Sequence, residues 1–241
     1  MKKYIPNFIT SLNIISGTIS IILSFEGYPM GAGFFIFAAA VFDFLDGFFA
    51  RLLKAYSELG KQLDSLADLI SFGLAPGFIV YNLLRSCLLM EKLEFENIAI
   101  YKLAILSIAI LIPLASAFRL AKFNIDTKQT SSFLGLPTPA NAIFYASLPI
   151  IMGIKFDLLT YGIILNLKVL IPIIIILSFL LVSRIPMFSL KFKTYDFKNN
   201  LTRYIFLIIS IIFIILLHFT AIPFIIIFYI LFSSIIAIFK H

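Results

Sequence analysis

Four aspartates lie in the stretch from Asp43 to Asp68, which reads DFLDGFFARLLKAYSELGKQLDSLAD. Asp43 and Asp46 are three residues apart, and Asp64 and Asp68 are four apart, so each pair shares one face of an α-helix. Two such pairs on neighbouring helices would converge into a cluster of four carboxylates, and so much negative charge requires a cation. Hard carboxylate oxygens suit Mg²⁺ or Mn²⁺, and the charge fits two ions. The stretch therefore predicts a divalent-metal site held by all four aspartates.

The sequence on either side of these acids is apolar, GAGFFIFAAAVF before them and LISFGLAPGFIVYNLL after them. Ionisable groups in lipid-embedded segments cost several kcal/mol each, so they normally mark a functional site. The chain of 241 residues is 61% apolar and 13% charged, with a mean hydropathy of +1.08. This composition excludes a soluble domain and predicts an all-α, polytopic membrane bundle. The single cysteine, Cys87, excludes disulfides and thiolate metal sites within one chain.

The elements that must position the acids are predicted to be membrane-spanning helices. If the N-terminus is cytoplasmic, 14 of the 19 Lys and Arg residues fall on the cytoplasmic side. This bias places the aspartates and the 119–137 loop at the cytoplasmic face of the inner cell membrane. The net charge is +7, but the basic residues do not form a cluster. The positive charge therefore favours anionic lipids as partners, and the missing cluster excludes nucleic acid. We expect eight spans, at about 8–25, 30–50, 61–84, 100–121, 138–154, 168–187, 204–220 and 222–239; Pro76 predicts a kink in the third.

The acids belong to a longer pattern, D-x2-D-G-x2-A-R-x8-G-x3-D-x3-D, that runs from Asp43 to Asp68 without a departure. This pattern resembles the signature of the CDP-alcohol phosphatidyltransferases. The resemblance implies an enzyme that transfers a substituted phosphate group, built on a six-helix membrane core and active as a homodimer. A charged helix hairpin facing water is the alternative, but it needs neither the glycines nor the paired acids.

Other segments are similar to one branch of that family, the integral-membrane phosphatidylserine synthases. Asn13 stands where relatives that use glycerol phosphate typically have arginine. The resemblance covers residues 1–187, a membrane domain, and leaves 188–241 as an extra pair of transmembrane helices without an assigned role. It implies transfer of the phosphatidyl group from CDP-diacylglycerol to L-serine by direct attack at a divalent-metal centre. The segments that carry it are IPNFITSLN (5–13), LDSLADLISFGLAP (63–76), FRLAKFN (118–124) and FLGLPTPANA (133–142).

The resemblance also assigns roles to individual residues. Asp68 would be the catalytic base as well as a metal ligand. Arg51 can pair with phosphate, although anchoring at the membrane interface is its alternative role. For Asn7 and Thr10 the alternative is helix capping. The residues expected to bind the CDP-lipid are Asn7, Thr10, Asp46, Gly47, Ala50, Arg51, Ser57 and Gly60.

The acceptor pocket should contain a cation, because serine carries a carboxylate. Arg119 and Lys122 lie at the cytoplasmic end of the fourth span, and Asn124 follows them; we expect these three to bind the acceptor. Anchoring of the helix at the interface is the alternative for the two cations. The segment 135–137 would either shape this pocket or serve as a connecting turn.

Two other functions remain open from the sequence. A sister enzyme of the family would use glycerol 3-phosphate, inositol phosphate or choline in place of serine. A cation transporter would also need carboxylates within the membrane. Transporters usually place their ion site near the midplane between two related halves, whereas these acids lie towards one face and the sequence has no detectable second half.

Overall fold

The computed structural model describes residues 4–90, 99–125, 133–188 and 196–239. Within these ranges the chain is almost entirely helical, which confirms the predicted all-α membrane bundle. A π-helical turn, Ile70–Leu74, joins α3 to α4, and short 3₁₀ turns precede α6 and α11. The helices are α1 (Tyr4–Phe25), α2 (Pro29–Leu52), α3 (Glu58–Leu69), α4 (Ala75–Met90), α5 (Ala99–Ser107), α6 (Leu111–Ile125), α7 (Thr138–Ile154), α8 (Leu158–Ile164), α9 (Leu167–Val182), α10 (Phe197–Leu217) and α11 (Ala221–Phe239), and the strands are β1 (Phe133–Leu134) and β2 (Pro186–Met187).

Five helical segments of the described chain are long and apolar enough to cross a membrane, and α8 with α9 forms a sixth that is bent by 50°. Helix α7, with 17 residues, is apolar but shorter. The last of the five segments, 39 residues long, breaks at His218, whose φ is 51°. If α7 is counted as well, and α10 and α11 are counted separately, the described chain contains eight apolar helical units. Three of the connections between the predicted spans, 85–99, 122–137 and 188–203, lie partly outside the described residues.

Helix α1 meets its neighbours through a stripe of small and polar residues, which includes Ser16, Gly17 and Ser20. The Ser20 hydroxyl donates a hydrogen bond to the Ala32 carbonyl oxygen of α2 over 2.8 Å. A Cβ atom added to Gly17 would lie 2.8 Å from the Cα atom of Ser71, so the two backbones are in contact there. Small residues allow this approach, and close packing is what joins helices in lipid. The stripe therefore fixes α1 against both acid-bearing helices.

The π-helical turn lies directly beyond Asp68. Pro76 has no N–H, so it cannot donate the usual hydrogen bond to the carbonyl oxygen of Phe72, four residues earlier. The Ser116 hydroxyl of α6 donates to that oxygen instead, over 3.5 Å. The predicted kink is therefore present as a widened turn, a feature that is frequent at functional sites.

A two-stranded sheet connects the segment before α7 to the segment after α9. Strands β1 and β2 are antiparallel, with Phe133 opposite Met187. Gly135 follows β1 with a φ of 77°, and its N–H donates to the Ile185 carbonyl oxygen over 2.9 Å. This pairing fixes where α7 begins. Helix α11 packs against both α7 and β2, so the C-terminal helices contact the rest of the bundle.

The packing at Gly17 gives a stability prediction. We expect Gly17→Ala to cost about 1–3 kcal/mol, because the new methyl group enters occupied space, and to lower the thermal unfolding midpoint in detergent. Gly162→Ala in α8 is the matched control, since nothing lies within 4 Å of its added Cβ. Equal midpoints for the two variants would show that α1 does not pack against the π-helical turn.

Candidate active site

Three of the four aspartates, which α2 and α3 carry, come together in the structure. Asp43, Asp64 and Asp68 each present one oxygen, and these three oxygens lie within 4.8 Å of one another. The short connection between the helices explains the meeting. Lys54, in the connection after α2, has a φ of 49°, which turns the chain away from the helix. The Ser57 hydroxyl then caps α3 by accepting a hydrogen bond from the Gly60 N–H over 3.0 Å.

These residues fit a divalent cation. Oxygens on opposite sides of a Mg²⁺ ion lie about 4 Å apart, because each bond measures about 2.1 Å. The three carboxylates therefore need only small rotations to share one ion. The Asp68 Oδ1 atom is buried and has no hydrogen-bond partner among the described residues. A buried carboxylate oxygen normally has a partner, and a metal ion would satisfy it.

Asp46 is held differently from the other three acids. Its Oδ2 atom accepts a hydrogen bond from the Thr10 hydroxyl over 2.6 Å, and it lies outside the group of three close oxygens. The Thr10 hydroxyl also lies 3.0 Å from the Pro6 carbonyl oxygen, but its single proton favours the nearer, charged acceptor. Asp46 still interacts electrostatically with Asp64 and Asp68. A four-aspartate metal site therefore stays a prediction.

A cavity of about 270 Å³ opens beside Asp64. It lies between the first turns of α1, the end of α2 and the start of α3, and it includes all eight residues predicted to bind the CDP-lipid. Asp64 belongs both to this cavity and to the carboxylate group, so the two features are adjacent. The lining residues are Pro6, Asn7, Thr10, Asp46, Gly47, Ala50, Arg51, Ala55, Tyr56, Ser57, Gly60, Lys61 and Asp64.

The small residues of the pattern have identifiable spatial roles. A Cβ atom added to Gly47 would meet only the Arg51 Nη1 atom, at 3.8 Å, so the α2 backbone is open towards the cavity. A Cβ atom on Gly60 would lie 3.0 Å from the Asn7 Oδ1 atom, so Gly60 lets α3 approach α1. Asn7 and Thr10 lie inside α1, which begins at Tyr4 in the described chain. Capping therefore does not account for them.

Some residues of the site were not predicted from the sequence. Tyr56 and Lys61 line the cavity and are exposed, and they flank the predicted Ser57 and Gly60. Their position next to Ser57 and Gly60 in the sequence was the only signal that could have identified them, but the pattern does not show towards which side the Tyr56 and Lys61 side chains point. Asn13 is fully buried, and both polar atoms of its side chain lack a partner among the described residues. Its carbonyl oxygen accepts from the Ser71 hydroxyl over 3.0 Å, which places it beside the helix that carries Asp68.

The predicted acceptor residues separate in the structure. Arg119 interacts electrostatically with Asp68, and its Nη1 atom donates to the Thr138 hydroxyl over 3.5 Å. Its Nε atom is buried without a partner among the described residues. Lys122 is exposed. The Asn124 side chain donates to the Ser65 hydroxyl over 2.9 Å and so ties α6 to α3. Of the three, Arg119 is the one whose charge reaches the carboxylates.

Comparison with known proteins supports the family resemblance. Residues 3–182 match the CDP-alcohol phosphatidyltransferase family model. Three similar proteins carry the name CDP-diacylglycerol–serine O-phosphatidyltransferase. The Helicobacter pylori protein (strain 26695) is 31% identical over 204 residues, which is 84% of this chain and 79% of the relative. The Bacillus subtilis protein is 35% identical over 139 residues, 57% of this chain and 70% of the relative. The Methanocaldococcus jannaschii protein is 38% identical over 140 residues, 58% of this chain and 57% of the relative.

The family match covers every residue that the sequence predicted for the site, including the three clustered carboxylates and the cavity beside them. The H. pylori relative extends the similarity over most of the chain. The family match, together with helices long enough to span a membrane, indicates a membrane-embedded phosphotransferase. The chain therefore belongs to the CDP-alcohol phosphatidyltransferase family.

Proposed function

We propose that this enzyme transfers the phosphatidyl group of CDP-diacylglycerol to the hydroxyl group of L-serine and releases CMP. One observation carries the proposal. Asp64 lines the cavity, and Asp68, in the same group of carboxylates, interacts electrostatically with Arg119. A nucleotide donor in the cavity and the carboxylate of a serine at Arg119 would therefore both lie close to this group of aspartates. The names of the similar proteins support serine as that acceptor.

The cavity suits the cytidine diphosphate end of the donor. Arg51 and Lys61 supply positive charge for phosphate oxygens, and the open backbone at Gly47 lets a ligand approach α2 closely. Thr10 holds Asp46 at the edge of this space. The acyl chains would remain in the bilayer, because α1 and α2 both expose large apolar side chains on their outer faces.

A divalent ion supplies, when bound, neutralisation of the pyrophosphate oxygens and polarisation of the phosphorus under attack. We expect two ions, Mg²⁺ or Mn²⁺, held by Asp43, Asp46, Asp64 and Asp68. Asp43, Asp64 and Asp68 already lie within reach of a shared ion.

The proposed reaction is a direct displacement. The serine hydroxyl oxygen forms a bond to the phosphorus of the phosphatidyl group, and the bond from that phosphorus to the bridging pyrophosphate oxygen breaks. CMP leaves with that electron pair, and the hydroxyl proton passes to a carboxylate oxygen of Asp68. Asp68 takes this role by resemblance to the family, and its electrostatic interaction with Arg119 supports a position near the proposed acceptor. Positioning the two reactants supplies much of the acceleration.

Arg119 would bind the serine carboxylate. Its buried Nε atom has an unused hydrogen-bond donor, and a carboxylate is the ligand that a guanidinium pairs with most strongly. We retain Lys122 and Asn124 as weaker contributors, since one is exposed and the other bonds to Ser65.

The setting of the enzyme is part of the proposal. We place the N-terminus and the site on the cytoplasmic side of the inner cell membrane, because the Lys and Arg residues favour that orientation. We also propose a homodimer, with residues 1–187 as the catalytic domain and residues 188–241 as an added helix pair.

An acceptor screen tests the choice of substrate. Purified protein in lipid nanodiscs with CDP-diacylglycerol and Mn²⁺ should release CMP with L-serine and not with glycerol 3-phosphate, inositol phosphate or choline. A preference for one of the other alcohols would replace serine but keep the reaction class. Ion flux through liposomes without any CMP would instead indicate a transporter.

Asp68→Asn tests the base. At saturating Mn²⁺, which compensates for the lost metal ligand, we expect turnover to fall about 10²- to 10⁴-fold, the usual contribution of a general base, while CDP-diacylglycerol binding measured by calorimetry at the same Mn²⁺ concentration persists. Glu26→Gln is the control, because Glu26 is exposed and lies at the opposite end of α1 from Thr10. Full turnover in Asp68→Asn would remove the residue from the mechanism.

Thr10→Val tests the hydrogen bond that positions Asp46. Losing a hydrogen bond to a charged group costs about 1.5–3 kcal/mol, so we expect kcat/KM for CDP-diacylglycerol to fall at least tenfold and to return in Thr10→Ser. Thr18→Val on the same helix is the control, since the Thr18 hydroxyl bonds only to the Ile14 carbonyl oxygen of its own helix. Similar losses in both valine variants would contradict the assigned role.

A further inference from the structure

A fully buried asparagine, Asn13, lies in the middle of α1 with a side chain that is not used in packing hydrogen bonds. Its side chain is 0% exposed, and both the Oδ1 and the Nδ2 atom lack a hydrogen-bond partner among the described residues. Buried polar atoms in native proteins are almost always paired, so each unpaired one requires an explanation. The position of Asn13 relative to the aspartates supplies one.

The packing of α1 against α2 places Asn13 level with Asp43. The two helices follow each other in the chain and run in opposite directions, and the Thr10 hydroxyl bonds to Asp46. Three residues forward along α1 from that contact reach Asn13, and three residues back along α2 reach Asp43. Both steps amount to about 4.5 Å in the same direction and stay on the same helix face. Asn13 and Asp43 therefore lie one turn beyond the Thr10–Asp46 contact, on the facing sides of the two helices.

Helix α1 runs parallel to α3 and the π-helical turn. A Cβ atom added to Gly60, near the start of α3, would lie 3.0 Å from the Asn7 Oδ1 atom. Further along both segments, a Cβ atom added to Gly17 would lie 2.8 Å from the Cα atom of Ser71. Each residue of α1 between these contacts is thus level with the residue 53 or 54 positions later in the chain.

This alignment places Asn13 level with residues 66–67 and so next to Asp68. A hydrogen bond fixes the asparagine there, because its carbonyl oxygen accepts from the Ser71 hydroxyl over 3.0 Å. Ser71 lies three residues beyond Asp68, in the π-helical turn. The backbone of Asn13 is therefore held against the segment that carries Asp68.

Asn13 thus lies beside both helices that carry the carboxylate group. The oxygens of Asp43, Asp64 and Asp68 lie within 4.8 Å of one another, and the Asp68 Oδ1 atom is buried without a hydrogen-bond partner among the described residues. Three aspartates that each give one oxygen leave about three positions open on a Mg²⁺ ion, which prefers six oxygen ligands. The amide oxygen of asparagine is a hard, neutral ligand that such ions accept.

We infer that Asn13 is a further ligand of the cation site: its Oδ1 atom binds the divalent ion that Asp43, Asp64 and Asp68 share, directly or through one water molecule. The inference rests on the proposed function for the presence of that ion, and it does not depend on which alcohol is the acceptor. The cavity reaches along α1 only as far as Thr10. Asn13 therefore contacts the ion from a side that the nucleotide does not occupy.

Asn13→Leu removes the amide group and keeps much of the side-chain volume. We expect it to weaken Mn²⁺ binding about tenfold, a typical loss for a residue that supports a metal site, measured by electron paramagnetic resonance in nanodiscs that contain CDP-diacylglycerol. Asn13→Asp keeps an oxygen in the same place and should bind Mn²⁺ at least as tightly as the wild type. Asn82→Leu is the matched control, because the Asn82 side chain donates to the Ser24 carbonyl oxygen near the other end of α1.

Thermal unfolding separates a metal ligand from a residue that only stabilises the fold. In EDTA, the unfolding midpoint of Asn13→Leu should equal or exceed that of the wild type, because an apolar group replaces an unpaired buried amide. Added Mn²⁺ should raise the midpoint less in Asn13→Leu than in the wild type, since a ligand stabilises the folded state according to its affinity.

Wild-type Mn²⁺ affinity in Asn13→Leu would overturn the inference, whatever the unfolding midpoint. Equal weakening in the leucine and aspartate variants would also overturn it, because the oxygen would then not be the cause. Weakened binding accompanied by a lower midpoint in EDTA would do the same, since it indicates a role in packing.

Failure of this inference differs from failure of the proposed function. A wild-type protein that binds Mn²⁺ through the three aspartates, combined with unchanged binding in Asn13→Leu, overturns the role of Asn13 alone. A wild-type protein without saturable Mn²⁺ binding overturns both the role of Asn13 and the proposed metal site.

Discussion

The structure depends on holding like charges together inside a membrane protein. Asp43, Asp64 and Asp68 bring three carboxylate oxygens within 4.8 Å of one another, on helices that are otherwise long and apolar enough to span a bilayer. Such an arrangement is unfavourable without a cation, because the carboxylates repel one another and each also loses contact with water. The close contact of α1 with the Ser71 backbone at Gly17 and the capped turn at Ser57 are the features that keep the acids converging.

The surroundings of the three acids divide the site into two sides. A cavity with cationic and small residues opens beside Asp64, while Arg119, whose Nε atom is buried, interacts electrostatically with Asp68. This asymmetry suits a reaction between two different substrates better than the passage of one ion, which would need a path through the membrane. It also explains why elements distant in sequence meet here. Helix α7, for example, presents Thr138 to Arg119 of α6.

Much of the site could be predicted because one continuous pattern carries it. The periodicity of α2 and α3 was enough to bring Asp43, Asp64 and Asp68 together, and the residues expected at the nucleotide all line one cavity. The position of Asp46 could not be predicted, since it depends on a hydrogen bond from Thr10, 36 residues away. Helix α8 was missed because its seven residues are too few for a span.

The most direct test of the account is the binding of Mn²⁺, followed by electron paramagnetic resonance in nanodiscs that contain CDP-diacylglycerol. We expect the wild-type protein to bind Mn²⁺ with saturable stoichiometry, and Asp43→Asn, Asp64→Asn and Asp68→Asn each to weaken that binding at least tenfold. Glu26→Gln should leave it unchanged. Wild-type affinity in all three aspartate variants would show that these carboxylates do not share a metal ion, and the account would then be wrong at its centre.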